Sequence, residues 1–194
     1  FEGFWDLATK GKFTVTNALG NEFINDKGFY PYVENLIRYY LKEDPILKNI
    51  ETLPAAKFSL KGAVTLDKVA LDRAVHHQED FVIKGVTGRG GDAVWIGKKM
   101  SPAEYALVIE KVKKNPEYFI FQKYTPLSVM DGHIVDLRLI TDVSGRGVIS
   151  ADVPWGRAIP LSGNGKVNLS DHGRETTVIV EREDCNEIME GVSP

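Results

Sequence analysis

The strongest chemical signal in the sequence is a lysine followed by closely spaced glycines. Lys84 ends an apolar run at 81–83, and five of the 18 glycines fall between residues 84 and 99. The same stretch carries four cations and one anion, a local charge of 4 − 1 = +3. Closely spaced glycines let backbone N–H groups approach phosphate oxygens, and an ammonium adds a point charge. The pattern predicts a phosphate site, although a tight hairpin alone would also use such glycines.

This loop differs from two common nucleotide-binding motifs. The GxxxxGK[ST] order of a Walker loop is absent. Gly88, Gly90 and Gly91 lead into another apolar strand, whereas a Rossmann fingerprint leads into a helix.

Further polar residues with possible roles lie downstream. The alternation from 133 to 141 predicts a strand with Asp136 and Arg138 on one face, where they could also form a plain surface ion pair. From the residues alone, Arg157 can be interpreted as a solvated charge and Asn168 as a turn residue. Asp171 and Glu175 could offer oxygen to Mg²⁺, but exposure in a polar loop is the simpler interpretation.

Composition excludes several classes of protein. The chain has 194 residues, 43% of them hydrophobic and 26% charged, which is typical of a globular protein. Its net charge of −3 argues against a general nucleic-acid binder. We expect no membrane span, no signal peptide and a cytoplasmic location, because no long apolar run is present. One cysteine permits no internal disulfide. Since the first residue is not Met, we also expect this to be the C-terminal part of a longer chain.

The elements that must position these residues can be predicted from periodicity. In the first half we predict a short strand at 13–16 and a core helix from Pro31 to about Leu41. A second helix is predicted over 65–77, with Leu66, Val69, Ala70 and Ala74 facing inward. Strands follow at 81–84 and 93–96. Ser101 and Glu104 form a capping-box pattern that starts another helix, and a buried strand spans 118–123.

The second half of the chain has the pattern of an antiparallel sheet. Strands are predicted at 133–141, 148–149 and 155–159, with a turn at 144–147 and a last strand at 176–180. The fold class is therefore α+β.

The order of these motifs resembles the circularly permuted ATP-grasp family, distant relatives of glutathionylspermidine synthase. The resemblance covers roughly residues 5–180 and rests on several matches in sequence order. They are Thr16-Asn17-Ala18-Leu19-Gly20, Ile37-Arg38-Tyr39-Tyr40-Leu41, Glu43-Asp44-Pro45-Ile46-Leu47, the Lys84 loop, Gln122 to Ser128, and Val135-Asp136-Leu137-Arg138. The chain departs from the family pattern at Gly85, where proline is usual, at Lys123, where glutamate is usual, and at 171–175.

The resemblance implies an ATP-grasp fold of two lobes, with antiparallel sheets, packing helices and the nucleotide between the lobes. It implies one domain over 1–194. Within it, residues 80–123 would form the nucleotide-lid lobe, and 1–79 with 124–194 the remaining core.

The resemblance also implies roles for individual residues. Lys84 would contact nucleotide phosphate, under a mobile lid of Gly88, Arg89, Gly90 and Gly91. Gln122, Lys123 and Tyr124 would form the hinge that pairs with the adenine edge, largely through backbone groups. Arg138, held by Asp136, and Arg157 would stabilise charge on the γ-phosphate and on an acyl-phosphate. Asn168 would lie near Mg²⁺, and Asn17 is a second polar candidate, in the early turn.

The function implied is that of an ATP- and Mg²⁺-dependent carboxylate–amine ligase acting through an acyl-phosphate. Its partners would be ATP and small-molecule or peptide carboxylates and amines. The alternative is a degenerate ATP-grasp module that binds nucleotide without ligase turnover, and a phosphotransferase that makes no amide is a third hypothesis. Substrate identity and oligomeric state stay open at this point.

Overall fold

The computed structural model describes residues 3–13, 20–88, 93–144, 147–163, 165–169 and 172–179. The described residues divide into two compact units. The first takes those up to 88 and from 93 to 124, and the second takes those from 125 onward. The lobe boundaries expected at 80–123 stay a prediction.

Both units contain antiparallel strands, and the four α-helices described all lie in the first unit. The α-helices are α1 (Phe4–Thr9), α2 (Val33–Leu36), α3 (Lys68–His76) and α4 (Pro102–Lys114). The strands of the first unit are β1 (Thr52–Pro54), β2 (Ala56–Phe58), β3 (Val64–Leu66), β4 (Phe81–Gly85), β5 (Val94–Ile96) and β6 (Phe119–Lys123). Those of the second unit are β7 (Ser128–Met130), β8 (His133–Arg138), β9 (Thr141–Ser144), β10 (Gly147–Ser150), β11 (Trp155–Pro160) and β12 (Arg174–Thr176).

The first unit is built on a four-stranded antiparallel sheet in the order β1-β6-β4-β5. Ile83 of β4 lies opposite Phe121 of β6, and both side chains are fully buried. They pack with α3 and α4 into one apolar core. Since side chains alternate along a strand, Lys84 and Gln122 must lie on the opposite face of this sheet.

Helix α4 begins at the capping box that the sequence predicts. Ser101 Oγ accepts a hydrogen bond from the Glu104 amide, and Glu104 accepts one in return from the Ser101 amide. Four of its apolar residues are buried: Tyr105, Val108, Ile109 and Val112. The Tyr105 hydroxyl donates to the Ala74 carbonyl at 3.0 Å, and burial raises the pKa of Tyr105 to about 12. This helix anchors the face of the sheet that lies behind Lys84.

The second unit contains the antiparallel sheet predicted for the second half. Its order is β12-β11-β8-β7, and β9 and β10 form a separate hairpin across the predicted turn. Arg157 of β11 lies directly opposite Asp136 of β8, and Trp155 lies opposite Arg138. The register therefore brings these four side chains onto one face.

Three sequence predictions are corrected. The helix predicted after Pro31 forms in three consecutive pieces: a 3-10 turn, α2, and a π-turn at Ile37–Leu41. It is not a core helix. Tyr40 is 72% exposed and Leu41 is 63% exposed. Spacing alone cannot tell whether an apolar face is covered by the rest of the fold.

The helix predicted over 65–77 begins later, at Lys68. Asp67 Oδ1 accepts hydrogen bonds from the amides of Val69 and Ala70 and caps the helix, so Leu66 stays in β3. This shift leaves Val69 exposed and buries Leu71 instead.

Among the described residues the last strand is β12, which ends at Thr176, and residues 177–179 of the predicted 176–180 strand are not in a strand. Its partner β11 starts at Trp155, directly after Pro154, so the pairing ends at Gly156 opposite Thr176. Of the strand predicted at 13–16, only Phe13 lies among the described residues, and it is not in a strand.

Candidate functional site

Lys84 lies on the face of the sheet opposite to the one against which α3 and α4 pack. Its cross-strand neighbours are Val94 on β5 and Ile120 on β6. The side chain is half-buried, and its ammonium donates a hydrogen bond to Gln122 Oε1 at 2.5 Å. Gln122 Nε2 in turn donates to Thr52 Oγ1 at 2.9 Å. A chain of hydrogen bonds across three strands therefore orients the lysine.

The charge on Lys84 has no counter-ion among the described residues. No carboxylate there lies within ion-pair distance of its ammonium, and Gln122 is neutral. Burial lowers the pKa of Lys84 below its ordinary value, and the charge of Lys27 lowers it further. A partly desolvated ammonium in this state favours an anionic ligand, because the ligand would supply the missing negative charge.

Lys27 is a residue of the site that sequence reasoning missed. Its amide donates to the Val86 carbonyl at 3.1 Å, and its ammonium donates to the Gly88 carbonyl at 3.1 Å. These bonds place a second cation beside the start of the glycine loop. The sequence offers only the Asp-Lys-Gly turn pattern at Asp26, which Gly28 completes by donating its amide to Asp26 Oδ1. Nothing local connects that turn with Lys84.

The glycine loop begins as expected. Gly85 donates its amide to the Ala93 carbonyl at 2.8 Å, a bond that the proline usual in the family could not make. Gly88 has a φ of 124°, which strongly favours glycine. Arg89, Gly90 and Gly91, the rest of the predicted lid, lie outside the described residues, as does Asn17.

The residues expected to form the hinge, Gln122, Lys123 and Tyr124, lie at the end of β6, but two of their amides already donate hydrogen bonds within the fold. Lys123 donates its amide to the Glu51 carbonyl at 2.8 Å, and Tyr124 donates to the Asp80 carbonyl at 2.7 Å. Adenine pairing there would have to use other groups, such as backbone carbonyls. Pairing with adenine stays a prediction.

In the second unit, Asp136 binds Arg157 and not Arg138. Arg157 Nε donates to Asp136 Oδ1 at 2.9 Å, and Nη2 donates to Oδ2 at 2.5 Å. The guanidinium of Arg138 instead stacks over the ring of Trp155 at 5.2 Å. The expectation that Asp136 holds Arg138 is therefore wrong, because the β8–β11 register places Arg157, and not the neighbour along the same strand, directly opposite the carboxylate.

The residues expected near Mg²⁺ do not form a cluster of metal ligands within the part of the chain that the structure describes. Asn168 lies in the loop before β12, and its carbonyl accepts a hydrogen bond from the Gly173 amide at 2.9 Å. Glu175 is exposed. No group of three or more His, Cys, Asp or Glu side chains converges among the residues that the structure describes.

Two observations from comparison with known proteins now bear on this site. A family model described as "Circularly permuted ATP-grasp type 2" matches residues 1–145, a span that includes Lys27, Lys84 and Asp136. The chain belongs to this family. The resemblance predicted from the motifs is thereby confirmed, and so is the mixture of helices and antiparallel strands.

Individual relatives are similar over different parts of the chain. An uncharacterized protein of Mycobacterium tuberculosis is 31% identical over 190 residues, which is 93% of this chain and 33% of the relative. One from Synechocystis is 30% identical over 144 residues, 70% of this chain and 28% of the relative. A Frankia casuarinae protein, provisionally named glutamate–cysteine ligase 2-2, is 32% identical over 133 residues, 64% of this chain and 14% of the relative. The chain thus spans about one third, or less, of the length of the curated relatives it matches.

Among the described residues, no helix is both long and apolar enough to cross a membrane.

Proposed function

We propose that this chain forms part of an ATP-dependent ligase that joins a carboxylate to an amine. The observation that carries the proposal is the pair of cations at the glycine loop. Lys84 is half-buried without a counter-ion among the described residues, and Lys27 adds a second positive charge beside it. Family membership and the name of the Frankia relative also support a ligase function.

The chemistry of the donor set fits a polyphosphate. Two ammonium groups repel each other in the free protein, which is one cause of the lowered pKa of Lys84. Phosphate oxygens would relieve both the repulsion and the desolvation, so binding is stronger than an exposed pair of lysines would allow. Gln122 holds the Lys84 ammonium in place before the ligand arrives.

The proposed reaction has two steps. A substrate carboxylate oxygen attacks the γ-phosphorus of ATP, the bond from that phosphorus to the bridging oxygen breaks, and ADP leaves. The amine nitrogen then attacks the acyl carbon, the carbon–oxygen bond to phosphate breaks, and amide, inorganic phosphate and one proton result. The protein contributes position and positive charge more than covalent chemistry.

Arg157 and Arg138 are the candidates in the second unit for stabilising negative charge. Arg157 presents a planar guanidinium already oriented by both oxygens of Asp136, and Arg138 is supported by the Trp155 ring. Orientation before binding lowers the entropic cost of using these groups. That a nucleotide lies between two lobes stays a prediction.

The described residues do not provide a complete set of ligands for Mg²⁺. Asn168 could supply one amide oxygen, whereas Mg²⁺ prefers carboxylates and phosphate oxygens together. The family resemblance predicts that Mg²⁺ accompanies ATP.

The second candidate is a degenerate ATP-grasp module that binds nucleotide without turnover. Two observations favour it: Lys123 replaces the glutamate usual in the family, and the described residues contain no acidic metal cluster. The cytoplasmic location and the absence of nucleic-acid partners stay predictions for either candidate.

Two measurements on the chain separate these candidates. Thermal unfolding with and without Mg·ATP tests binding, and a concentration of about 100 times Kd should add about 2.7 kcal/mol of stability. Phosphate release over a panel of carboxylates and amines tests turnover. Binding with substrate-dependent release supports the ligase, binding without release supports the degenerate module, and no binding at millimolar Mg·ATP refutes both.

A further inference from the structure

The first unit contains a cavity that the proposed chemistry has not used. It encloses about 290 Å³ and opens between the Asp26 turn, the start of β2 and the segment before β6. Its lining is mostly apolar and aromatic, with Phe29, Phe58 and Phe119 among the rings. Since a cavity of about 150 Å³ accepts benzene, this one has room for one aromatic ring and a short chain.

The cavity lies next to Lys84 on the same face of the sheet. Ile120, the cross-strand neighbour of Lys84, lines it, and so does Val86, two residues further along the chain. Two residues of extended chain span about 7 Å. A ligand seated in the cavity would therefore reach the region where phosphate is proposed to bind.

The cavity is separate from the expected adenine position. It opens at the Phe119 end of β6, whereas the predicted hinge lies at the other end, around Lys123. Four steps along a strand correspond to about 13 Å. Nucleotide and cavity ligand could thus be bound together.

The polar side chains in the lining are those of Asp26, Glu117 and Tyr32, and two of these are carboxylates. Asp26 already accepts a hydrogen bond from the Gly28 amide, so part of its capacity is used within its own turn. Glu117 is half-buried, and among the described residues its carboxylate has no hydrogen-bond or ion-pair partner. An unpaired carboxylate beside aromatic rings favours a cationic group on an apolar stem.

Exposed aromatic rings around the opening support a ligand role. Phe58 is 61% exposed and Phe23 is 52% exposed, although both line the cavity. Large aromatic side chains left in water around a concave site are typical of binding surfaces.

We infer that this cavity binds the amine substrate, and that the amine is carried on an aromatic or similarly bulky apolar stem. Glu117 pairs with the ammonium, and the rings take the stem. This assignment as the acceptor site rests on the proposed ligase function, whereas binding of the amine itself does not.

The test uses 2-phenylethylamine as the probe, measured by calorimetry on the chain without nucleotide. Glu117→Gln should weaken binding roughly 10- to 100-fold, because a charge-assisted bond is lost without a change in shape. Glu110→Gln, on the exposed side of α4, is the matched charge control and should leave affinity unchanged. Phe58→Ala removes a ring that is mostly in water, so it should fold, and it should weaken binding roughly 2- to 10-fold.

Competition with related molecules completes the test. Phenylacetate, which has the same ring and the opposite charge, should not bind, and saturating Mg·ATP should not displace the amine. Equal amine affinity in Glu117→Gln and wild type, binding of phenylacetate as tight as that of the amine, or displacement by Mg·ATP would each overturn the inference.

The results for the amine and for Mg·ATP together distinguish the failure of this inference from the failure of the ligase proposal. If the amine binds as expected but Mg·ATP never binds, the ligase proposal fails while the amine site stands. If Mg·ATP drives amide formation with other amines but 2-phenylethylamine is not bound, the amine site fails while the ligase proposal stands.

Discussion

Replacing Lys84 by methionine should separate nucleotide affinity from stability. The change keeps an unbranched stem of similar length and removes the ammonium. In the structure that ammonium is half-buried, has no counter-ion among the described residues, and bonds only to the neutral oxygen of Gln122. The lysine is therefore suited to binding an anion and not to stabilising the fold.

The magnitudes follow from these contacts. Loss of one charge-assisted hydrogen bond to phosphate costs about 1.5–3 kcal/mol, which is roughly a 10- to 150-fold increase in Kd for Mg·ATP. Two effects on the free energy of unfolding oppose each other. Loss of the hydrogen bond to Gln122 lowers it, whereas removal of a desolvated charge that is repelled by Lys27 raises it. Since burying a charge costs several kcal/mol before compensation, we expect no net loss of stability, or a gain.

The assay combines isothermal titration with Mg·ATP and chemical unfolding at pH 7. Lys114→Met, an exposed lysine on α4, removes the same charge and should change neither quantity by more than about 0.5 kcal/mol. Affinity equal to wild type in Lys84→Met would refute the site. A loss of more than about 2 kcal/mol in stability would show instead that Lys84 is a structural residue.

The pH dependence of binding and stability gives an independent check on the same lysine. Because the pKa of Lys84 is lowered, it loses its proton at a lower pH than an ordinary lysine, and Mg·ATP affinity should fall as pH rises through that pKa. Folding, in contrast, should become more favourable as pH rises between the folded and the unfolded pKa, because the unfolded chain then binds more protons.

The remaining predictions concern other parts of the molecule. Lys84→Arg should make Mg·ATP affinity nearly independent of pH up to about 10, because arginine stays charged; a pH profile like that of wild type would contradict this. A double-mutant cycle with Asp136→Asn and Arg157→Gln should give a coupling free energy of about 1–3 kcal/mol in chemical unfolding, since their side chains are only 28% and 14% exposed and form two bonds; coupling near zero would rule out a stable pair. Ser101→Ala should lower the free energy of unfolding by about 1 kcal/mol through loss of the capping box, and an unchanged unfolding midpoint would argue against it. Gly88→Ala should lower Mg·ATP affinity several-fold, because its φ of 124° is strained for alanine; titration showing wild-type affinity would exclude a role for this geometry.

Much of the framework could be predicted because it depends on local patterns. The run from Phe81 to Lys84, the capping box at Ser101 and the apolar strand before Lys123 each carry their signal within a few residues, and all three form as predicted. The exposed helix at Ile37–Leu41 shows the limit of such signals. An apolar stripe specifies a face, but what covers that face depends on the rest of the fold.

The amino-acid sequence by itself determined the α+β class, the family and the position of Lys84 before a glycine loop, because these depend on the order and spacing of residues along the chain. Tertiary structure alone decided which side chains meet. Lys27 and Glu117 come from distant segments to the same sheet face as Lys84, and Asp136 pairs with Arg157 because strand register sets the partner. Neighbours across strands and loops are fixed by packing and register, which leave little trace in any one stretch of sequence.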